Sequence, residues 1–146
     1  MTRQGTPVWY ELSTTDVDAA DRFYRTVIGW TIADSGMAGL DYRIANVGDA
    51  MVAGMMVPPV DGVPPWWAIY VAVEDCDRAA AAITAAGGQV HVPPTDIPGV
   101  GRFAIVSDPQ GAAFGLLKGD GEGSQASDQQ KHGHGNWHEL MSSDPT

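Results

Sequence analysis

Basic residues are scarce in this 146-residue chain: eight Lys and Arg stand against 18 Asp and Glu, for a formal net charge of −10. No basic cluster offsets that balance, so nucleic acid and anionic membranes are not the expected partners. Cysteine is scarcer still. Cys76 alone excludes an internal disulfide framework and suits a reducing compartment. No apolar run approaches the roughly 20 residues of a membrane span, and the opening Met1-Thr2-Arg3-Gln4-Gly5-Thr6-Pro7 has no signal-like apolar core, so a cytoplasmic location is expected. Phosphate loops, Gly-x-Ser-x-Gly elbows and paired-cysteine sites are missing as well. What remains is 44% hydrophobic, which supports a globular fold with a real core.

Residues 66–117 organise the chain. Alternating Trp66-Trp67-Ala68-Ile69-Tyr70-Val71-Ala72-Val73 predicts a strand. Residues 75–86 predict a helix stopped by Gly87-Gly88, and 89–93 a further strand. The stretch 98–117 reads as strand, Asp108-Pro109-Gln110-Gly111 turn, strand. This β-α-β-β-β unit recurs upstream. A shift of 59 positions lays Asp16 on Asp75, Asp18 on Asp77, Gly29 on Gly88 and Arg43 on Arg102. The Pro109-Gln110 insertion then brings Gly54 opposite Gly115. Two such units imply one shared architecture, since neither buries its apolar face alone.

In chain order, Val8, Tyr10 and Leu12 point to one face of a first strand, and Trp9, Glu11 and Ser13 to the other. Thr15-Asp16 caps a helix whose apolar stripe is Ala19, Ala20, Phe23, Tyr24 and Val27, and Gly29 ends it. A strand from Trp30 and a hairpin of 42–47 with 51–57 around Gly48-Asp49 complete the first half-unit, residues 7–60. The proline-rich run 58–65 bridges to the second half-unit, 66–118. Residues 119–134, rich in Gly, Ser, Gln, Asp and His, predict a flexible linker. Then Trp137-His138-Glu139-Leu140 with Ser142 and Asp144 repeats Trp9-Tyr10-Glu11-Leu12 with Thr14 and Asp16, 128 positions on. Residues 135–146 therefore read as the first strand of a truncated second module, as a tail swapped onto another subunit, or as a coincidence of eight residues.

The stretch Thr15-Asp16-Val17-Asp18-Ala19-Ala20-Asp21-Arg22-Phe23-Tyr24 with Gly29-Trp30, the strand 70–75, Gly87-Gly88, and the ending 106–116 resemble the vicinal oxygen chelate superfamily of glyoxalases, bleomycin resistance proteins and extradiol dioxygenases. The resemblance covers about residues 7–118. It implies an α+β fold of paired βαβββ units, their U-shaped mixed sheet carrying helices on the convex side and a ligand trough on the concave one. The tandem arrangement is similar to a bacterial glyoxalase-like subgroup. Family members commonly hold a divalent metal on His and Glu from the first and last strands of each unit. Those places here are Trp9, a residue near Gly54, Ala68 (or Trp67) and Gly115, none of which offers a side-chain donor. No metal or other cofactor is therefore expected, unless through a composite or tail site.

Several residues face the implied trough. Glu11 is a candidate general base, or a structural carboxylate bonded across the sheet. Trp9, Trp66, Tyr70 and Met56, with Gly115, are candidates to line a site for a flat apolar or aromatic ligand, or to be ordinary core. Arg43 and Arg102 fit either an anionic ligand or ion pairs. His132, His134 and His138, beside Glu139, fit a chance metal cluster or a solvated linker. His91 is expected at or near the surface, and Cys76 in packing. Three functional expectations follow: a metal-free binding protein for a small apolar or aromatic molecule; a lyase, dioxygenase or hydroxylase-like enzyme using Glu11 or a shared metal; and the structural half of a two-module protein. A homodimer or a sister module is the expected partner.

Overall fold

A computed structural model describes residues 3–121 and 123–145. They form β1 (Pro7–Ser13), α1 (Val17–Val27), β2 (Thr31–Asp34), β3 (Tyr42–Val47), β4 (Ala50–Met56), β5 (Trp66–Ala72), α2 (Cys76–Ala85), β6 (Gln89–Ile97), β7 (Gly101–Ser107) and β8 (Ala113–Gly119). This is the anticipated βαβββ order, twice, with mixed parallel and antiparallel pairing. The chain divides into two compact units. One comprises Trp9–Ile69 with Ser124–Asn136; the other holds the described residues of Met1–Val8, Tyr70–Gly123 and Trp137–Thr146. The division falls within β1 and β5, not at the proline-rich bridge.

In the first unit the strand order is β2-β3-β4-β1. β4 runs antiparallel to β3 and parallel to β1, with Glu11 opposite Gly54 and Ser13 opposite Met56. Alternation sends Leu12 to a core with Val17, Ile32, Ala45, Ala53 and Met55, and Tyr10, Ala20, Tyr24, Trp30 and Trp67 pack against it. The Asp16 carboxylate accepts a bond from the Ala19 N–H and caps α1. The buried stripe of α1 is Val17, Ala20 and Tyr24. Of the five expected stripe residues, Phe23 is 56% and Val27 61% exposed. Tyr24 decides the rotation of the helix: it stacks on Trp30 at 5.5 Å, meets Trp67 edge-on at 5.3 Å, and its hydroxyl accepts the Trp67 indole N–H at 2.9 Å.

The second unit repeats the plan with strand order β5-β8-β7-β6. β5 and β8 are parallel, placing Tyr70 opposite Gly115. Asp75 caps α2 through the Arg78 N–H. Cys76, Ala104, Val106 and Leu116 form the core. β6 extends four residues beyond its expected end, past Pro93 and Pro94, because it is the outer strand and its register with β7 shifts between Val92 and Thr95, where the prolines fall.

The segment expected as a flexible linker is instead packed. In Ser124–Asn136, Ala126 is fully buried, and the Trp30 indole donates to the Gly133 carbonyl at 2.8 Å. The segment closes on itself through Gly135 N–H to Ala126 O, at 2.9 Å, and Asp128 N–H to Gly135 O, at 3.0 Å. Gly135 lies against the Tyr10 ring where any Cβ would collide. Small residues here permit close backbone approach rather than disorder. The strand expected at 135–146 is also absent among the described residues. Only an isolated bridge joins Ser127 to Gly135, and Trp137, Leu140 and Met141 are 74%, 65% and 95% exposed.

Candidate functional site

Alternation along β1 sets Trp9 and Glu11 on the face away from α1, and the parallel register with β4 brings Glu11 level with Gly54. From β3, Tyr42 extends over Gly54, so that a Cβ at position 54 would overlap its hydroxyl and ring. The tyrosine hydroxyl accepts the Trp9 indole N–H at 2.9 Å and donates to Glu11 Oε2 at 2.8 Å. The direction of this relay is fixed by chemistry. Indole can only donate, so the Tyr42 oxygen receives that bond and its own hydrogen goes to the carboxylate. Burial first, and then the Glu11 charge, push the Tyr42 phenol far above its ordinary value. Tyr42 is therefore a neutral donor that holds Glu11 in place. Sequence reasoning placed Tyr42 on a strand but did not single it out; the available signal was Gly54, since a glycine inside an apolar strand marks a close approach.

The remaining expected lining residues divide between the units. Met56 ends β4 opposite both Ser13 and Tyr42, half-buried, and Trp66 begins β5, also half-buried, in the same unit as Trp9 and Glu11. Tyr70 and Gly115 belong to the other unit. Tyr70 is only 5% exposed, with its ring laid directly on Gly115 and 6.5 Å from Phe103. As packed, Tyr70 is core rather than an open wall, and Gly115 lies closed beneath it.

Arg43 and Arg102 make ion pairs at equivalent places. Arg43 meets Asp18 at 2.5 Å and Asp21 and Asp41 at 3.2 Å. Arg102 meets Asp77 at 2.7 Å and Asp96 at 2.9 Å. Each ties the third strand of its unit to that unit's helix, and neither stands ready for an anionic ligand. In the tail, His132 Nε2 bonds the Ile28 carbonyl at 3.1 Å and His134 Nδ1 the Gln125 carbonyl at 2.6 Å. They pin the packed segment, beside a shallow cavity of about 430 Å³ lined also by Val47, Asp49, Ala50 and Lys131. His91 Nε2 bonds the buried Ser107 hydroxyl at 2.8 Å. Cys76 is buried, and burial pushes its thiol up, as packing requires and a nucleophile does not.

Whether these residues fit a divalent metal can be tested on the donor set. Among the described residues no group of three or more His, Cys, Asp or Glu side chains stands together to hold an ion. In the first unit the resemblance puts a last-strand donor near Gly54, and at Gly54 itself the space for a longer side chain holds the Tyr42 hydroxyl. In the second unit the corresponding place, Gly115, is filled by the Tyr70 ring.

Residues 6–116 match the model of the Glyoxalase/Bleomycin resistance protein/Dioxygenase superfamily. A relative named "Putative glyoxylase CFP32" in Mycobacterium tuberculosis (strain CDC 1551 / Oshkosh) is 52% identical over 115 residues, which cover 78% of this chain and 44% of that protein. The anthracycline biosynthesis protein DauV of Streptomyces sp. (strain C5) is 33% identical, over 96% of this chain and 56% of that protein. The chain thus spans about half the length of the curated relatives it matches. Among solved structures, methylmalonyl-CoA epimerase from Mycobacterium tuberculosis shares the fold, with a TM-score of 0.59 at 15% identity over 84% of this chain and 93% of that one.

Proposed function

This chain belongs to the Glyoxalase/Bleomycin resistance protein/Dioxygenase superfamily, and we propose that within it the chain binds a small aromatic molecule without a metal of its own. The binding surface is the β1–β4 face of the first unit, where Trp9 supplies a flat apolar wall and Glu11 a fixed polar anchor. One observation carries this reading: Tyr42 occupies the space over Gly54 and is bonded at both ends, to Trp9 and to Glu11. The relay ties down the carboxylate as a positioned acceptor, and the bond donated to it favours its charged form.

The test combines two measurements on one sample. Untagged protein, freed of loosely bound ions, is analysed for metal and then titrated with aromatic compounds while tryptophan fluorescence is followed. Binding unchanged by a chelator supports the reading. Stoichiometric zinc, iron, nickel or manganese in the purified protein, or binding that appears only after metal is added, sinks it.

A second reading is favoured by the repeat of Trp9-x-Glu11-Leu12 at Trp137-x-Glu139-Leu140 and by relatives about twice as long as this chain. In it, residues 135–145 open a further module of the same kind, which takes the place of a second subunit. Light scattering separates the two arrangements: a dimer of this chain in solution favours self-association, and a monomer with exposed Trp137 favours a covalently linked sister module.

A further inference from the structure

We propose that two copies of this chain associate by seating residues 137–141 of each on the outward face of α1 in the other, where Phe23 and Val27 stand beside Arg22. This association is independent of what the β1–β4 face binds. On α1, Val17, Ala20 and Tyr24 turn to the core, which leaves Phe23 and Val27 outward, 56% and 61% exposed. Four positions apart, they form one apolar strip. A lone exposed apolar side chain is ordinary, but a helix that already has its buried stripe and shows a second one has a surface to be covered. Arg22 flanks that strip. Of the eight basic residues, Arg3 and Arg22 alone make no ion pair among the described residues.

The tail presents the complement. Trp137, Leu140 and Met141 are 74%, 65% and 95% exposed. The segment that carries them is nevertheless held at both ends. The Gln110 side chain donates to the Asp144 carbonyl at 2.8 Å and accepts from the Ser142 hydroxyl at 2.9 Å, and Asn136 donates to the Gln129 carbonyl at 3.1 Å. A segment already fixed loses less freedom on docking. Glu139 lies between the apolar side chains and makes no ion pair among the described residues. An apolar patch with a spare cation thus matches an apolar patch with a spare carboxylate, and the guanidinium fork suits that carboxylate. Each patch is open in the single chain, so a second copy supplies the cover. In a two-fold pair the contact is made twice, and the unlike surfaces close. Two chains of net charge −10 repel at long range, so the apolar side chains carry the affinity and the Arg22–Glu139 pair sets the register.

Sedimentation velocity of the full chain over a dilution series reads the association. A dimer is expected, dissociating as the concentration falls. Trp137→Ser and Phe23→Ser are each expected to weaken it roughly tenfold or more. Arg22→Glu and Glu139→Arg should each weaken it by a smaller factor. Combined in one chain they should restore most of the loss, because the pair is rebuilt with its signs exchanged. Phe23 meets the Tyr24 ring edge-on at 5.0 Å, so Phe23→Ser is the variant that could fail to fold. In that event Trp137→Ser and the charge reversals, all at exposed positions, still decide the matter. A monomer at every concentration up to about 0.1 mM overturns the inference. So does a dimer that Trp137→Ser leaves at full strength, and so does a double reversal no stronger than either single one.

Discussion

In the first unit the strand glycine Gly54 lies beneath a tyrosine sent from the antiparallel neighbour, Tyr42 of β3. In the second, Gly115 lies beneath a tyrosine sent from the parallel neighbour, Tyr70 of β5. The two glycines are equivalent, and so are their parallel register partners, Glu11 and Tyr70, which stand 59 positions apart. In the second unit that partner covers the glycine itself and the place becomes hydrocarbon, almost wholly buried. In the first the partner is a carboxylate, so another strand provides the cover, and the Tyr42 hydroxyl that covers Gly54 also bonds Glu11. One scaffold thus packs its two equivalent glycines in two ways, and the difference turns on one residue of the register pair.

The largest effect should come from adding a methyl group to each glycine. Gly115→Ala is expected to cost about 3 kcal/mol, because the Tyr70 ring is enclosed and overpacking has no outlet. Gly54→Ala is expected to cost less, about 2 kcal/mol, since half-buried Tyr42 can swing outward, losing its bonds to Trp9 and Glu11 but avoiding the clash. Urea unfolding of the two variants measures the difference. Equal costs would break the comparison and make Tyr42 as much a core residue as Tyr70. Next in size is Tyr42→Phe, which leaves the ring but strands the Trp9 indole N–H and removes one donor from Glu11. About 1–2 kcal/mol of stability should be lost, with weaker binding of any ligand anchored by Glu11. Full stability in that variant would show that water replaces the hydroxyl without loss.

The same comparison shows what could be read in advance. The order of elements, the Asp16 cap and the equivalence of Gly54 to Gly115 were legible because breakers, caps and alternation act locally. The candidate site was legible only in part. That Glu11 and Trp9 share a face followed from strand parity, but Tyr42 reaches them from a strand more than 30 residues away in sequence, through a register that no local pattern encodes. Tyr70 has the same parity as Trp66, and parity could not tell a lining ring from one pressed onto a glycine. The error at α1 has a similar origin: Phe23 and Val27 are apolar at helical spacing, yet the Tyr24–Trp30–Trp67 cluster sets the rotation of the helix. The segment 124–136 misled by composition. Its glycines and polar residues resemble a linker, but its order comes from backbone bonds and from Trp30, over 100 residues earlier in the chain.

Smaller effects test how alike the two helices are. Asp16 and Asp75 are equivalent caps, each accepting from the backbone N–H three residues on, at 2.8 and 2.9 Å. Replacing either by Ala should cost about 1 kcal/mol, read as a shift in the denaturation midpoint. A much larger cost at Asp16 would mean that α1, with its aromatic cluster, carries more of the fold than α2.

The finest distinction lies in the arginine pairs and appears as pH dependence. Asp21 is held below the usual carboxylate range, chiefly by the Arg25 bond and further by Arg43, while burial opposes the shift. Asp77 is lowered in the same direction by Arg102. A carboxylate whose folded value is depressed contributes stability that is fully present above its unfolded value, about pH 4, and is lost as pH falls through the folded value. The contributions of these two carboxylates should therefore be lost only below about pH 4. The Asp21 side chain is 15% exposed and the Asp77 side chain 63%, so solvent screens the second pair more. Arg43→Gln should raise the Asp21 titration midpoint and flatten the acid limb of stability, since less is then left to lose on protonation. Arg102→Gln should do the same to Asp77 with a smaller change in stability. Carboxyl titration by NMR reads both midpoints. If removing Arg43 leaves Asp21 unmoved, Arg25 alone sets it, and the strand-to-helix pair of the first unit contributes as little as an exposed one.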